Sequence, residues 1–334
     1  MKSVCVIIIN FNGSNDTIEC LKSLEKTNYG NLTIAVIDNA SKSKDYLELK
    51  EFMKNRYKEN LCLIDNSKDT YNIDSKFILI KSDKNLGFSL GNNYVIRRIE
   101  EDKKFDFYML LNNDTIIEEN TIDELINCFD EENVATATGL ILSYNDKKTI
   151  WFSGGYVSKL KAKGVHNNYG KKVGEINEFP EETKFSSGCM TMFKREPLFK
   201  IGLLNENYFF GCEEYDYSVK LLKKGYKMKF SKEAKLYHKV KINEGNGSSH
   251  DIKKPMYIFN SLRNKQIFAK ENYSKIEYFL WKRIFSLYMN CLFINRFKNE
   301  DNLNVLNIIK DKVNKSYDVK NVLLEDLEEI DSVS

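Results

Sequence analysis

The feature that most constrains the fold is an alternation of strand-like and helix-like hydrophobic patterns over roughly the first 140 residues. Residues 4–9 form a continuous apolar run, which is typical of a strand that is covered on both faces. The following segment places Ile18, Leu21 and Leu24 at helical spacing. Because strand and helix then repeat in the same order, the sequence predicts an α/β fold with a Rossmann-like, mostly parallel sheet flanked by helices.

The pattern also predicts the individual elements. Residues 50–75 are rich in Lys, Asp and Asn, which favours an insertion in the alternating pattern. Beyond about residue 133, short strands and glycine-rich turns replace the alternation, and helical spacing returns at residues 213–224 and after Pro255. The early strands are expected at residues 4–9, 32–37, 61–64, 77–80 and 107–111, and the early helices at 15–26, 44–58, 89–101 and 118–129.

Composition excludes several classes of protein. Lys and Arg number 51 against 48 Asp and Glu, a net charge of +3, which is no electrostatic footprint for a nucleic-acid partner. No stretch approaches the ~20 apolar residues that span a bilayer. The seven cysteines show no CxxC or similar metal-binding spacing. This cysteine pattern predicts a reduced, cytoplasmic compartment.

Polar side chains follow three of the predicted strands at the points where they end. Asn10, Asn12 and the adjacent Gly13 follow the first strand, Asp38 follows the second, and residues 112–114 follow a later one. Because ligands of open parallel sheets bind beyond the carboxyl ends of the strands, these residues are expected on one rim. Each also has a purely structural interpretation: Asp38 could cap its turn through Ser41, and Asn113-Asp114 could cap a helix.

Two later features could carry chemistry. Glu213, Glu214 and Asp216 stand at a predicted helix start, directly after the apolar Phe209-Phe210-Gly211. Acids stabilise any helix N-terminus, but an acid pair after an apolar turn is also what a positioned general base requires. His238, one of three histidines, follows a short predicted strand at residues 235–237, where it could be a metal ligand or a structural residue.

Taken in order, these pieces resemble the family 2 glycosyltransferases of the GT-A fold. The resemblance is strongest to the rhamnosyltransferase-like branch of bacterial cell-surface polysaccharide enzymes, and it covers residues 3 to about 270. The segments that carry it are VIIINFNG at 6–13, AVIDNAS at 35–41, NLGFSLGNN at 85–93, LLNND at 110–114, SGCMTMFKRE at 187–196, GLLNENYFFGCEEYD at 202–216, Gly225-Tyr226, His238 and Arg263-Asn264.

The resemblance implies an inverting transfer of a sugar from a nucleotide-diphospho-sugar to a hydroxyl of a glycan or lipid-linked acceptor. It implies a divalent cation, Mn²⁺ or Mg²⁺, held by Asp114 and His238. Residues 112–114 stand where the family has a DxD-like motif, and they lack its first Asp. The implied base is Glu214, where the family usually has Asp, with Glu213 as the alternate and Asp216 orienting the acceptor or capping the helix.

The resemblance also assigns donor contacts. Asp38 matches the position whose carboxylate accepts the imide N–H of uracil or thymine, which favours a UDP- or dTDP-sugar. Gly188 and Cys189 are expected to line the floor beneath the transferred sugar, and Trp151, Tyr156 and Phe185 are candidates for choosing it. The full set of donor-binding residues that it implies is Asn10, Asn12, Asp38, Asn85, Gly87, Gly91, Asn92, Asn112, Asn113 and Gly188.

Three other interpretations stay open. A sugar-nucleotide-binding protein of the same fold without activity would fit the incomplete acidic motif at residues 112–114, although the acid pair disfavours it. A sugar nucleotidyltransferase would want a Gly-rich, basic loop after the first strand, where this chain has residues 10–13 as NFNG. The absence of GxGxxG disfavours a dinucleotide-dependent oxidoreductase.

The predicted domains are a catalytic domain over residues 1–250 and a C-terminal helical region over residues 251–334. The catalytic domain divides into a nucleotide-binding half, 1–115, and an acceptor half, 116–250. Residues 278–297 are apolar and aromatic with interspersed Lys and Arg. They predict either an interfacial helix at the inner face of the cell membrane or a helix packed on the core or on the partner of a homodimer.

Overall fold

The computed structural model describes residues 1–65, 75–239, 255–296 and Val313. Within them a large central sheet is flanked by helices on both faces. The strands are β1 (Val4–Asn10), β2 (Leu32–Asn39), β3 (Leu61–Ile64), β4 (Phe77–Ser82), β5 (Phe107–Asn112), β6 (Thr115–Ile117), β7 (Val134–Ser143), β8 (Ile150–Phe152), β9 (Gly155–Ser158), β10 (Lys163–His166), β11 (Met190–Lys194) and β12 (Lys227–His238). The helices are α1 (Ser14–Leu24), α2 (Ser43–Tyr57), α3 (Gly87–Glu100), α4 (Thr121–Ile126), α5 (Arg195–Ile201), α6 (Glu213–Lys223), α7 (Pro255–Asn272) and α8 (Lys275–Arg296).

The sheet has a parallel half and a mixed half. Its order is β3-β4-β2-β1-β5-β11-β7-β12-β6, with β8 paired to β7. The strands from β3 to β5 are parallel, whereas β11 runs antiparallel between β5 and β7. In the parallel half Asn10 lies beside Asp38, and Ile9 lies beside Asn112. The carboxyl ends of β1, β2 and β5 are therefore level, which brings the predicted polar rim together.

Both faces of β1 are buried, as its continuous apolar run predicts. Val4, Val6 and Ile8 point into a core shared with α1 and α2, whereas Cys5 and Ile7 point into a second core shared with α3 and α6. This division follows from the two-residue period of a strand. The six cysteines whose side chains are described are all free thiols.

Three expectations about the elements are wrong. The interpretation of residues 50–75 as an insertion fails for 50–64, because α2 continues to Tyr57 and β3 extends the central sheet; residues 66–74 lie outside the described residues. The helix expected at 118–129 is shorter, because the pairing of β6 with β12 continues to Glu118, whose N–H donates to the Lys235 carbonyl, and α4 begins only at Thr121. The short strand expected at 235–237 is the end of the 12-residue β12.

The two C-terminal helices pack on the rest of the protein. Asn260 and Asn264 of α7 donate hydrogen bonds of 2.8 and 2.9 Å to the carbonyl of Phe210, and Asn264 donates another of 2.8 Å to Gly211. Helix α7 thereby holds the turn that precedes α6. The predicted boundary at residue 250 lies outside the described residues, and the domain division stays a prediction. Among the helices in the described part of the chain, none has the length and apolar character to cross a bilayer.

Candidate active site

Asn10 organises the rim at the ends of β1 and β2. Its side-chain amide lies within hydrogen-bonding distance of Asp38 Oδ1 at 2.8 Å, Asp45 Oδ2 at 3.0 Å and Ser41 Oγ at 3.1 Å, and its Oδ1 accepts a 2.8 Å bond from Thr17. The other Asp38 oxygen accepts the backbone N–H of Ser41, so the predicted turn cap does form. Asp38 is only 1% exposed. Its carboxylate is thus held rigidly, and its role toward a nucleobase stays a prediction.

Asp45 is a rim residue that the sequence analysis missed. Its two carboxylate oxygens accept bonds from the Ser14 backbone and the Asn10 side chain, both at 3.0 Å. Burial alone would raise the pKa of Asp45, but these hydrogen bonds outweigh it and lower the pKa below the ordinary value. Asp45 is therefore a fixed negative charge on this rim. Its place in the first turn of α2 looked like ordinary helix capping in the sequence.

Asn39 fixes residues 85–87, two of which are predicted donor contacts. Its side chain donates to Asn85 Oδ1 at 2.9 Å and to the Gly87 carbonyl at 3.2 Å, and it accepts from the Leu86 N–H at 2.8 Å. Gly87 has a φ of 68°, and a Cβ there would overlap the Phe209 carbonyl oxygen. The need for glycine at position 87 thus has a packing reason.

The other predicted donor residues also make contacts within the protein. A Cβ on Gly91 would lie 3.1 Å from Ile9, so α3 sits close to β1. Asn92 donates to the Phe88 carbonyl at 2.9 Å, and Asn12 accepts the Lys42 N–H at 2.8 Å. The Asn113 amide lies 3.1 Å from Thr17 Oγ1. These contacts fix the rim, and donor binding by these residues stays a prediction.

Asp114 and His238 come together although 124 positions separate them in the chain. His238 Nε2 lies 3.1 Å from Asp114 Oδ1. Burial raises the pKa of Asp114, but the adjacent imidazole and its hydrogen bond outweigh this effect, so the pKa falls below the ordinary value. His238 is buried, and its Nδ1 has no hydrogen-bond partner among the described residues. A carboxylate and an imidazole therefore stand side by side where the resemblance implies a cation.

These two residues fit a divalent cation in part. An ionised carboxylate is a ligand that both Mg²⁺ and Mn²⁺ accept, whereas an imidazole suits transition metals, so the pair fits Mn²⁺ better than Mg²⁺. Phosphate oxygens and water commonly complete such sites. Within the described residues, no group of three or more His, Cys, Asp or Glu side chains gathers into a larger metal site. Two side chains alone do not complete a cation site, so other ligands would have to join them, and metal binding by Asp114 and His238 stays a prediction.

The acid pair lies at the start of α6, after a strained turn. Gly211 and Cys212 both have positive φ values, 78° and 84°, which is unusual for the non-glycine Cys212. Burial raises the pKa of Glu214 to about 7, although the Gly188 N–H that donates to its Oε2 acts in the opposite direction. Burial and the neighbouring Glu214 raise the pKa of Glu213 to about 8. Both carboxyls therefore titrate near neutral pH, as a general base requires.

Residues 188 and 189 link the acid pair to the Asp114 site. Gly188 donates its N–H to Glu214, and a Cβ at Gly188 would meet the Glu214 carboxylate and the Phe88 ring. Cys189 accepts the N–H of Asn112, and its pKa is raised by burial and also by the charges of Asp114 and Glu214. Asp114 and the acid pair thus both lie close to one short backbone segment.

A small apolar cavity lies beneath this segment. Gly188 and Glu214 border it together with the side chains of Phe88, Thr136 and Tyr217, and it leaves only about 10 Å³ for a water-sized molecule. Such a volume holds about one water and no sugar. The cavity is therefore part of the dry surroundings that raise the Glu214 pKa.

Asp216 makes contacts unlike those of the acid pair. Its Oδ1 accepts a 2.6 Å bond from Asn272 of α7, and its Oδ2 lies 2.7 Å from Lys220 Nζ. Asp216 is fully buried and joins α6 to α7. These contacts join two helices, and within the described residues Asp216 makes no capping bond to the α6 backbone. Neither predicted role of Asp216 is thereby tested, and both stay predictions.

His166 is a second residue that the sequence analysis missed. Its Nδ1 lies 3.0 Å from the Trp151 carbonyl, and burial lowers its pKa to about 4, so the imidazole is neutral. The Trp151 ring meets both His166 and His238 edge-on, with centroids 4.6 and 4.8 Å apart. Of the predicted sugar-choosing residues, Phe185 is buried against His166, whereas Tyr156 is half exposed. Only the scarcity of histidine in the sequence could have pointed to His166.

Comparison with known proteins assigns the family. The model described as "Glycosyl transferase family 2" matches residues 5–202, more than half of the chain. The chain belongs to glycosyl transferase family 2. The family predicted from the motifs is thereby confirmed.

Among curated proteins, the family 2 chain is similar to the O-antigen chain rhamnosyltransferase WbaN of Salmonella anatum. The two are 26% identical over 189 residues, which is 53% of this chain and 56% of the relative. The chain therefore matches only a little over half the length of this relative. The likeness agrees with the rhamnosyltransferase-like branch named by the motifs.

Solved structures confirm the predicted GT-A fold. GalNAc-T7, solved with UDP, GalNAc and Mn²⁺, is 15% identical to this chain with a TM-score of 0.58. The match covers 81% of this chain and 48% of the GalNAc-T7 chain. The mannosyltransferase PcManGT from Pyrobaculum calidifontis, solved with GDP-Man and Mn²⁺, is 12% identical to this chain with a TM-score of 0.53. The match covers 99% of this chain and 86% of the PcManGT chain. At these identities the likeness concerns the fold.

The acid pair leads to a prediction about stability. Burial raises the Glu213 pKa from its ordinary 4.5 to about 8, so the folded protein holds a proton that the unfolded chain releases. The free energy of unfolding should therefore fall as the pH rises from about 5 to about 8. In Glu213→Gln this part of the fall should vanish, and the melting temperature at about pH 9 should exceed that of the wild type by a few degrees.

Thermal unfolding across this pH range measures the effect. Glu196→Gln, which changes an exposed glutamate of α5, is the matched control and should follow the wild type. Parallel curves for the wild type and Glu213→Gln would show that Glu213 is ionised in the folded protein.

Proposed function

We propose that this protein is an inverting, metal-dependent glycosyltransferase. It moves a sugar from a UDP- or dTDP-sugar to a hydroxyl of a glycan or lipid-linked acceptor, in the synthesis of a surface polysaccharide. Family 2 membership and the likeness to an O-antigen chain rhamnosyltransferase support the reaction class and the polysaccharide setting. The observation that carries the proposal is that Glu214, with a pKa near 7, and Asp114, which contacts His238, both lie close to residues 188–189.

Glu214 supplies the base for a single displacement. The acceptor oxygen forms a bond to the anomeric carbon of the donor while the bond from that carbon to the diphosphate breaks. The acceptor proton goes to Glu214, and the electron pair of the broken bond leaves with the nucleoside diphosphate. Attack from the face opposite the leaving group inverts the anomeric configuration. A base with a pKa near the working pH suits this role.

The remaining residues bind and orient. Asp114 and His238 would hold a divalent cation, which when bound neutralises the charge of the departing diphosphate as a Lewis acid. Asp38, fixed by Asn10 and Ser41, accepts the imide N–H of the nucleobase. The Gly188 N–H keeps the Glu214 carboxylate aimed, because it binds Oε2 and leaves Oε1 available for the acceptor proton.

Donor turnover tests the proposal. The purified protein is incubated with a panel of UDP-, dTDP- and GDP-sugars, with Mn²⁺ or with EDTA, and release of nucleoside diphosphate is measured. We expect slow release from one UDP- or dTDP-sugar that EDTA abolishes. Thermal stabilisation by a donor without release, even with glycan acceptors added, would instead support a binding protein without activity. If no donor gave either release or stabilisation, the proposal would be overturned.

A further inference from the structure

We infer that the outer side of α8 and the adjoining hairpin tip form a docking surface for an anionic membrane. We call this surface the basic apolar face. Its apolar members are Ile276, Phe279, Leu280, Ile284 and Leu287 of α8 and Leu160 of the β9–β10 hairpin, and its basic members are Lys159, Lys161, Lys163, Lys275, Lys282 and Arg283. The inference goes beyond the proposed function, because it concerns where the protein binds and not what it transfers.

Helix α8 is apolar on two opposite sides. Tyr278, Trp281 and Phe285 lie three and four positions apart and face the core, where the Trp281 and Phe285 rings stack with centroids 4.4 Å apart. Ile276, Leu280, Ile284 and Leu287 of the outer side are also three or four positions apart, with Phe279 beside Leu280, yet the exposed fractions of the five are 50–74%. A surface helix normally presents polar residues to water. The outer side therefore favours a partner with an apolar interior.

The hairpin tip is fastened to α8 and continues its surface. Trp281 Nε1 donates a 3.1 Å bond to the Leu160 carbonyl, and Lys159 Nζ lies 2.8 Å from Glu277 Oε1. Leu160 itself is 65% exposed between Lys159 and Lys161. Two separate elements thus contribute the same combination of exposed leucine and lysine at one place.

The charge of the face selects the partner. Residues 156–166 and 275–287 contain six Lys and Arg, and Glu277 is the single acid among them. Arg283 lies within the apolar row, with its guanidinium over the Phe279 ring at 4.9 Å. Basic residues around an apolar helix face are what an interfacial helix needs on anionic lipid. A symmetric contact between two copies would instead bring these like charges together.

The surface also has a defined distance from the candidate active site. Strand β10 leads from the hairpin tip to His166, which contacts Trp151 beside His238. Four strand residues span ~13 Å at about 3.3 Å each. Docking would thus place lipid headgroups within a short distance of His166 and Trp151. If the proposed function holds, this favours the lipid-linked class of acceptor.

Vesicle flotation of the full chain tests the inference. We expect the wild type to float with vesicles of phosphatidylcholine and phosphatidylglycerol, not with phosphatidylcholine alone, and to be released by salt. Leu280→Gln/Leu287→Gln and, separately, Lys161→Gln/Lys282→Gln should each lower the bound fraction by about tenfold. Leu47→Gln, on an equally exposed leucine of α2, is the matched control and should float like the wild type.

Three results would overturn the inference. In the first, the wild type stays at the bottom of the gradient. This result includes the case in which the basic apolar face is a dimer contact, so that the wild type is a dimer and Leu280→Gln/Leu287→Gln is a monomer. Both double variants could float like the wild type, or the wild type could float equally with neutral vesicles. Donor turnover of the same variants, measured without vesicles, separates this outcome from a failure of the proposed function, because none of the changed residues lies at the candidate active site.

Discussion

Glu214→Gln should bind the sugar nucleotide as the wild type does but turn it over about 10²–10⁴-fold more slowly, the range that one general base contributes. Glutamine keeps the shape of the side chain and can still accept the Gly188 N–H, so the donor site should be preserved. It cannot take the acceptor proton. The rate constant for transfer and the donor affinity, measured separately, check this expectation.

Two comparisons sharpen the experiment on Glu214. The pKa of about 7 implies that wild-type turnover falls about tenfold for each pH unit below about 7, because only the ionised carboxylate is a base. Glu213→Gln should keep most of the rate, since its carboxyl, raised to a pKa of about 8 by burial and by Glu214, is protonated at neutral pH. A wild-type rate in Glu214→Gln together with a lost rate in Glu213→Gln would move the base to Glu213.

Asp114→Asn should lower turnover by at least about 10²-fold and raise the Mn²⁺ concentration that half-maximal activity requires. The contact with His238 can persist through the amide oxygen, so the change removes mainly the negative charge. Asp114 supplies the carboxylate that contacts His238. Lewis-acid stabilisation of a leaving group contributes several kcal/mol. Turnover measured across a Mn²⁺ titration checks this result.

The matched control for Asp114 is Asp16→Asn. Asp16 lies in α1 and pairs with Lys239, the residue after His238. The substitution therefore removes a nearby negative charge at a residue outside the proposed cation site. Asp16→Asn should keep the wild-type Mn²⁺ dependence. If Asp114→Asn also kept the wild-type rate and metal dependence, the assignment of Asp114 would be wrong.

Much of the fold follows from local sequence pattern. Apolar runs predicted β1, β2 and β5 as strands, and the run at residues 4–9 predicted burial on both faces, because a strand between two helical layers must be apolar at every position. The failures occurred where long-range pairing decides the structure. Residues 115–117 form a strand that was not predicted, because β12 lies alongside them, and β3 joins the sheet because it pairs with β4.

Some residues of the candidate site could likewise be predicted from the sequence, and others could not. The motifs pointed to Asn10, Asp38, Asp114, Glu214 and His238, and the structure brings the last three around residues 188–189. Asp45 and His166 were not predicted, because their contacts depend on neighbours that are distant in the sequence or specific to the loop. Asp45 meets Asn10 across 35 positions, and His166 meets the Trp151 carbonyl through the β9–β10 hairpin.

The sequence by itself determined the family, the parallel sheet and the residue types on its rim, because periodicity and motif order are properties of the chain alone. Only the tertiary structure decided the electrostatics. Glu214 is an ordinary carboxyl in an isolated helix turn, and its pKa rises to about 7 because distant segments exclude water from it. The two apolar sides of α8 likewise differ only through what packs against them, since Trp281 and Phe285 find the core while Leu280 and Leu287 do not.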